Sequence, residues 1–278
     1  MKTHAVRRHA VGIIAILVSA VIFLVPFAFL LLTSFKNVQD ASFLDFSWPK
    51  QQFAFWENVV AVFQTNDYML ITAFINSAIL TVASVTLVVI FSAMIGWVVA
   101  RRASRWNGVV SMLVLAGLIV PPAIVPTVWV LQSLGLFKTL PGLVLIEVAF
   151  GMSFSILLFR AFVSTIPREL DEAALIDGAG PLRLFFQVGF PLLRSVIVTV
   201  IVVQSVTVFN DFANPLYFLP GAENATVQLT LFNFQSQYQT SWNLLFTDIL
   251  LITIPPLIMY IFFNRQIVAG LTAGAVKG

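Results

Sequence analysis

Gln204, Thr207, Asp211 and Asn214 are separated by three, four and three residues, which places them on one face of a helix with Asn210 beside it. Such a face offers hydrogen bonds to a polar solute, and Phe209, Phe212 and Tyr217 supply rings nearby. The surrounding sequence is apolar, and a charge at the centre of a membrane helix costs about 2.5–3.5 kcal/mol on insertion scales. Each of these groups must therefore meet protein or water. Glu147 and Asp248 pose the same problem, since no Lys or Arg lies at their depth in the sequence to pair them. A water-filled vestibule would solvate them. The competing reading is interhelical glue, because Gln, Thr and Asn bond neighbouring helices for about 0.6–2 kcal/mol each. A third reading, an intramembrane enzyme using Glu147, Asp211 and Asp248 as acids or metal ligands, lacks the usual equipment. There is no Cys, and the two His, His4 and His9, lie in a short basic N-terminal arm.

The elements that must position these residues follow from composition. Of 278 residues, 59% are hydrophobic and 10% charged, against about 25% charged in an ordinary soluble domain. Mean hydropathy is +0.98. These values exclude a water-soluble globule and a disordered chain. The net charge of +3 is carried by scattered Lys and Arg, so no basic patch points to nucleic acid.

A membrane-crossing helix takes about 20 mostly apolar residues. Six stretches meet that length, approximately 11–35, 70–100, 109–134, 142–166, 195–219 and 244–263. The first is too long and too apolar for a signal-peptide core. Eleven of the 15 Lys and Arg fall on one side of this arrangement and three on the other, with Arg160 inside the fourth stretch near its inner end. The positive-inside rule then puts both termini in the cytoplasm. Pro121, Pro122 and Pro126 are expected to bend or break the third span. Trp48, Phe53, Phe55 and Trp56 are expected to anchor the first outer loop at the headgroup level. The expected fold is all-α and polytopic, divided into an N-terminal helix and outer loop (1–69), a core (70–265) and a cytoplasmic tail (266–278).

The cytoplasmic loop 165–194 reads as two short helices joined by a glycine elbow. Pro167 suits a first turn, and Glu169, Asp171 and Glu172 complement the positive end of the helix dipole. Gly178 and Gly180 are candidates for the left-handed stop, Pro181 opens the second piece, and Pro191 ends it. Leu182, Phe185 and Phe186 form an apolar face on that piece. A helix pair lying on the membrane surface is one reading. Against it stand Ala173 and Ala174 beside the acids, small residues that permit close approach of a partner surface.

This loop resembles the signature of ABC-importer permeases. Glu172-Ala173-Ala174, Gly178 and Val188-Gly189-Phe190-Pro191 carry the motif at its spacing, with Val for the usual Ile and Phe for the usual Leu. Asp177-Gly178-Ala179, Asn76-Ser77 and the tail from Asn264 to Gly278 resemble the carbohydrate, maltose-type branch. Asn210-Asp211-Phe212 departs from the Trp-Asn-Glu-Phe of many relatives, with Phe209 in place of the Trp.

The resemblance implies a permease subunit of a sugar or oligosaccharide importer in the bacterial cytoplasmic (inner) membrane, working by alternating access. It makes the loop a coupling helix, with Glu172, Ala173, Ala174, Asp177, Gly178, Ala179 and Pro191 as its residues. Gln204, Thr207, Asn210, Asp211, Asn214 and Asn76 are then expected along the translocation path. The implied partners are a second homologous permease, two cytoplasmic ATPases, an extracytoplasmic solute-binding protein and membrane lipid. ATP and Mg would sit on the partner ATPase, and no cofactor on this chain. None of its five Lys stands in a Walker A motif. A permease for an amino acid, peptide or ion is the alternative.

Overall fold

The computed structural model describes residues 2–235 and 240–275. Among them the secondary structure is helical, with one isolated antiparallel bridge between Gln235 and Thr240. The chain divides into two compact units, residues 1–71 with 230–254 and residues 72–229 with 255–278.

In the first unit, α1 (Lys2–Ser34) includes the apolar stretch Ala15–Ser34. Two short helices, α2 (Val38–Ala41) and α3 (Phe55–Gln64), follow. The segment between α1 and α3 is folded by polar bonds. Lys36 is fully buried and its Nζ pairs with Asp45 Oδ1 at 2.6 Å and donates to the Asp45 carbonyl at 2.8 Å. That ammonium, together with Ser47, holds the Asp45 carboxyl well below the usual carboxylate range. Asn58 donates to the carbonyls of Ser34 and Lys36, both at 2.9 Å, and accepts from Asn243 at 2.7 Å. Phe35 gathers Trp48, Phe53 and Phe55 around it. Trp48 and Trp56 remain exposed. Asp248 is fully buried and accepts from Thr230 Oγ1 at 2.8 Å.

The second unit is built on two unbroken helices, α4 (Met69–Arg101) and α7 (Leu140–Val163). Between them, α5 (Asn107–Ile119) and α6 (Ile124–Ser133) are bent by 116° across residues 120–123. Pro121 and Pro122 sit in that break, where two missing amide donors end the hydrogen-bond ladder. Pro126 is accommodated in the first turn of α6, where its amide would have no partner. The elbow comprises α8 (Glu169–Ile176), α9 (Pro181–Arg183), a π-helical turn Leu184–Gly189 and α10 (Phe190–Leu192). It leads at a 77° bend into α11 (Arg194–Phe209), which is followed by α12 (Ala213–Phe218) and the 3-10 turns Ala222–Asn224 and Val227–Phe234. The last helix, α13 (Trp242–Ala275), runs through Pro255 and Pro256 and across the 265/266 boundary without a break.

Among the described residues, four helices are long and apolar enough to cross a membrane, and up to six if each bent pair counts as one span. The continuous span expected over 195–219 is interrupted. Asn210 ends α11, its Nδ2 bonding back to the Val206 carbonyl at 3.0 Å. Asp211 Oδ1 captures the amides of Ala213 and Asn214 at 2.9 and 3.2 Å. Short polar side chains here compete with the helical ladder for the backbone and win. The core of this unit, including Leu80, Val88, Trp97, Leu143, Phe159, Leu193 and Val200, sits around α7.

Candidate functional sites

The elbow is shaped by local bonds. Asp177 closes α8, Gly178 follows with φ +79°, and Ala179 completes the turn. The Ala179 amide donates to the Ala174 carbonyl and the Gly178 amide to the Leu175 carbonyl, both at 3.0 Å. That is a Schellman motif, in which glycine occupies the left-handed position without a Cβ penalty. Gly180, the other candidate stop, is extended instead, with φ −68° and ψ 166°, and delivers Pro181 to the first turn of α9. Pro167 lies one residue before the cap of α8 rather than in its first turn.

The second piece ends one residue past Pro191, at Leu192, ahead of the 77° bend into α11. Pro191 has no N–H for the Gln187 carbonyl, and its ring crowds that group. The chain widens ahead of it into the π turn, with the Phe190 amide reaching the Phe185 carbonyl. Phe185 is buried, whereas Leu182 and Phe186 are exposed. Glu172 and Ala173 face solvent, and beside them Leu175 and Ile176 are 56% and 86% exposed. The tip is thus an uncovered apolar surface beside exposed Glu172 and Ala173.

Arg101, at the end of α4, anchors the elbow from behind. It pairs with Asp171 at 2.8 Å, donates to the Ile166 and Pro167 carbonyls at 3.0 and 3.4 Å, and stacks its guanidinium on Trp97, 5.0 Å from the ring centre. Burial pushes the Asp171 carboxyl above its ordinary value, against the pull of Arg101 and Arg168. The sequence pattern of the loop gave no sign of Arg101, because its partner lies seventy positions away.

The second site is a cavity of about 310 Å³. Glu147, Phe150, Gly151 and Phe154 line it from α7, and Val203, Gln204 and Thr207 from α11, with Asp211 and Asn214 beyond the break. The polar residues thus converge even though the helix carrying them is interrupted. Asn214 Nδ2 donates to Asp211 Oδ2 and to Glu147 Oε1, the latter at 3.2 Å, so one amide bridges two carboxylates. No Lys or Arg lines the cavity.

Gln204 is mostly buried, with Nε2 donating to the Gly151 carbonyl at 3.1 Å and Ser155 Oγ at 3.0 Å. It binds α11 to α7, which is the glue reading. A Cβ on Gly151 would lie 3.0 Å from Gln204 Oε1 and 3.1 Å from Val88 Cγ2, so a larger residue here would need those side chains to give way. Thr207 lines the cavity while its hydroxyl bonds the Val203 carbonyl at 2.9 Å.

Two expected path residues lie elsewhere. Asn210 is outside the cavity lining and accepts from Gln228 Nε2 at 3.3 Å. Asn76 is buried and donates to the Ala225 carbonyl at 3.1 Å. The rings also differ from expectation, since Phe150 and Phe154 line the cavity and Phe209, Phe212 and Tyr217 do not. The signal was present: 147, 150, 151 and 154 follow the i, i+3, i+4, i+7 stripe of one helix face. Arg160 donates to Ser111 Oγ at 3.0 Å, linking α7 to α5. Among the described residues no cluster of three or more metal-ligating side chains occurs.

Residues 92–272 match the family described as the binding-protein-dependent transport system inner membrane component. The chain belongs to that family. It is a multi-pass transport subunit and not an enzyme, and ATP hydrolysis belongs to a separate subunit. The permease is 30% identical to the melibiose/raffinose/stachyose import permease protein MelC of Bacillus subtilis, over 99% of both chains. It is 31% identical to the diacetylchitobiose uptake system permease protein NgcG of Streptomyces coelicolor, over 93% of this chain and 85% of that one. Its fold matches that of a bacterial ABC transporter involved in import of the acidic polysaccharide alginate, with TM-score 0.79 at 19% identity, over 92% of this chain and 95% of that one.

Proposed function

We propose that the permease carries neutral sugars or oligosaccharides inward across a bacterial cytoplasmic membrane, as one of two homologous six-span subunits with both termini in the cytoplasm. The elbow 165–194 docks on a cytoplasmic ATPase that holds ATP and Mg. Glu172, Ala173, Ala174, Asp177, Gly178, Ala179 and Pro191 form or shape that docking surface. An extracytoplasmic binding protein delivers substrate, and alternating access moves it past Glu147, Thr207, Asp211 and Asn214. Closure of the ATPases on ATP draws the elbows together and opens the outer cavity, and hydrolysis resets it.

The observation that carries this reading is the elbow itself, a locally rigid turn that leaves Ile176 and Leu175 uncovered beside exposed Glu172 and Ala173. Relatives named for melibiose, raffinose, stachyose and diacetylchitobiose support the sugar class. The cavity argues against an anionic solute, because its ionisable lining groups among the described residues are two acids, Glu147 and Asp211. The test is uptake by the complete assembly in liposomes, with labelled di- and trisaccharides supplied through the binding protein. Uptake that needs ATP and both permeases is the expected result. Uptake by this chain alone, or selective uptake of a charged amino acid, would overturn it.

A further inference from the structure

Among the helices of the second unit, α4 stands out for what it holds at each end. At its inner end, Arg101 grips the first piece of the elbow through Asp171 and the carbonyls of Ile166 and Pro167. Four residues earlier, Trp97 grips the second piece. Its ring lies edge-on to Phe185, with centroids 6.2 Å apart, and presses on Gly189 so closely that a Cβ there would lie 3.0 Å from Cη2. Arg101 stacks on the same indole, so one cation-π unit clamps both halves of the elbow.

At its outer end, Asn76 Nδ2 donates to the Ala225 carbonyl at 3.1 Å, and the adjacent Ser77 Oγ accepts the Val227 amide at 3.0 Å. Both side chains are buried. The segment they hold continues into Gln228, which donates to Asn210 at the break after α11. Twenty-five residues separate Asn76 from Arg101, roughly 37 Å at 1.5 Å per residue. No proline interrupts that length. By contrast, α5–α6 and the elbow–α11 pair are bent by 116° and 77°, and a bent element absorbs displacement rather than passing it on.

We propose that α4 is the rod that conveys elbow movement to the outer segment 225–228, with Arg101 and Trp97 as its inner positioning residues and Asn76 and Ser77 as its outer ones. This rests on the elbow being the ATPase-docking element. It adds that the drive reaches the outer side through a helix distant in sequence, as well as through the directly connected, unbroken α7. The clamp works because a bidentate-capable guanidinium held on an indole resists both shear and rotation, which a lysine at the same place would not.

The experiment uses the complete importer in nanodiscs, measuring binding-protein-stimulated ATPase and sugar uptake on the same preparations. Arg101→Met is expected to keep at least half of the stimulated ATPase while uptake falls at least fivefold. Arg101→Asp combined with Asp171→Arg is expected to recover at least half of wild-type uptake, and Arg101→Lys markedly less. Asn76→Leu, far from the elbow, is expected to give the same uncoupled signature.

Because the chain has no Cys, Asn76→Cys with Ala225→Cys can be joined as a disulfide by a mild oxidant. The joined protein is expected to transport, since the outer grip stays closed through the cycle. Unchanged uptake in Arg101→Met, equal loss of ATPase and uptake without rescue by the swapped pair, or abolition of uptake by the crosslink would each overturn the proposal. Wild-type importer whose ATPase ignores the elbow altogether would instead sink the docking reading on which it stands.

Discussion

The elbow and the cavity are built by opposite means. The elbow is one contiguous segment whose turn is set by bonds between residues three and five positions apart, ending at Gly178 and Ala179. The cavity draws Glu147 and Asn214 together across 67 positions and relies on the packing of α7 against α11. A local turn survives movement as a rigid body, which suits a part that is pushed. A wall assembled from separate helices changes shape when they shift, which suits a part that must open. Damage to the first should therefore spoil coupling while sparing the fold, and damage to the second should do the reverse.

Gly178→Val gives the sharpest contrast. Its φ of +79° lies in the left-handed region, while a new Cβ there meets nothing within 4 Å. The penalty is thus backbone strain alone, about 1–2 kcal/mol for an L residue and more for a β-branched one. Relaxing it would re-aim α9 relative to α8. Uptake is expected to fall at least about tenfold, equivalent to ~1.4 kcal/mol of coupling, with membrane abundance unchanged on immunoblots. Gly178→Asn, which tolerates αL, should retain most activity. Equal loss in both variants would show that side-chain space, not backbone conformation, matters there.

Gly151→Leu probes the opposite kind of site. The introduced side chain would collide with Gln204 and with Val88 Cγ2, 3.1 Å from the Cβ position. Overpacking of this sort costs about 1–3 kcal/mol. The expected readout is a lower melting temperature in detergent and reduced membrane abundance, with uptake per surviving molecule less affected.

The same contrast explains what could be read from the residues alone. The elbow was legible because Glu172-Ala173-Ala174, Gly178 and Pro181 are neighbours whose roles follow from capping and turn chemistry. Even there, the π turn ahead of Pro191 was not visible, although the piece does end beside that proline, at Leu192. The apolar runs showed where helices lie, and the prolines at 121 and 122 showed where one breaks. The break at 210–212 was hidden because Asp211 capping Ala213 and Asn214 leaves the spacing of three intact while interrupting the helical ladder. The shared face of Gln204, Thr207, Asp211 and Asn214 was legible, whereas Asn76, Asn210 and Asp248 lie outside the cavity and its wall on α7 was not read, as a stripe reads as core until something shows which helix it faces. The Arg101–Asp171 pair was illegible for the same reason.

Gln204→Leu tests how much of the cavity wall is glue. Two hydrogen bonds to α7 disappear and a buried Ser155 hydroxyl loses a donor. The expected destabilisation is about 0.6–2 kcal/mol, the range of interhelical bonds in membranes. A thermal-shift assay should register it, while the substrate concentration for half-maximal uptake stays within about twofold. A large change in that concentration would assign Gln204 to the solute rather than to the wall.

Asp211→Asn should have the smallest effect. The amide oxygen can still accept the Ala213 and Asn214 amides, so the break after α11 keeps its cap. What is lost is one acceptor for the Asn214 side chain, and Glu147 gains relief from a neighbouring carboxylate. For a neutral solute these changes nearly cancel, and uptake is expected within about threefold of wild type, roughly 0.6 kcal/mol. Uptake of an anionic sugar, measured in parallel, should rise as the cavity loses negative charge. A hundredfold loss with the neutral sugar would mean that the carboxylate itself touches the cargo. The cavity would then be fixed by one residue, much as the elbow is fixed by Gly178, and the division between a locally determined drive and a collectively assembled passage would fail.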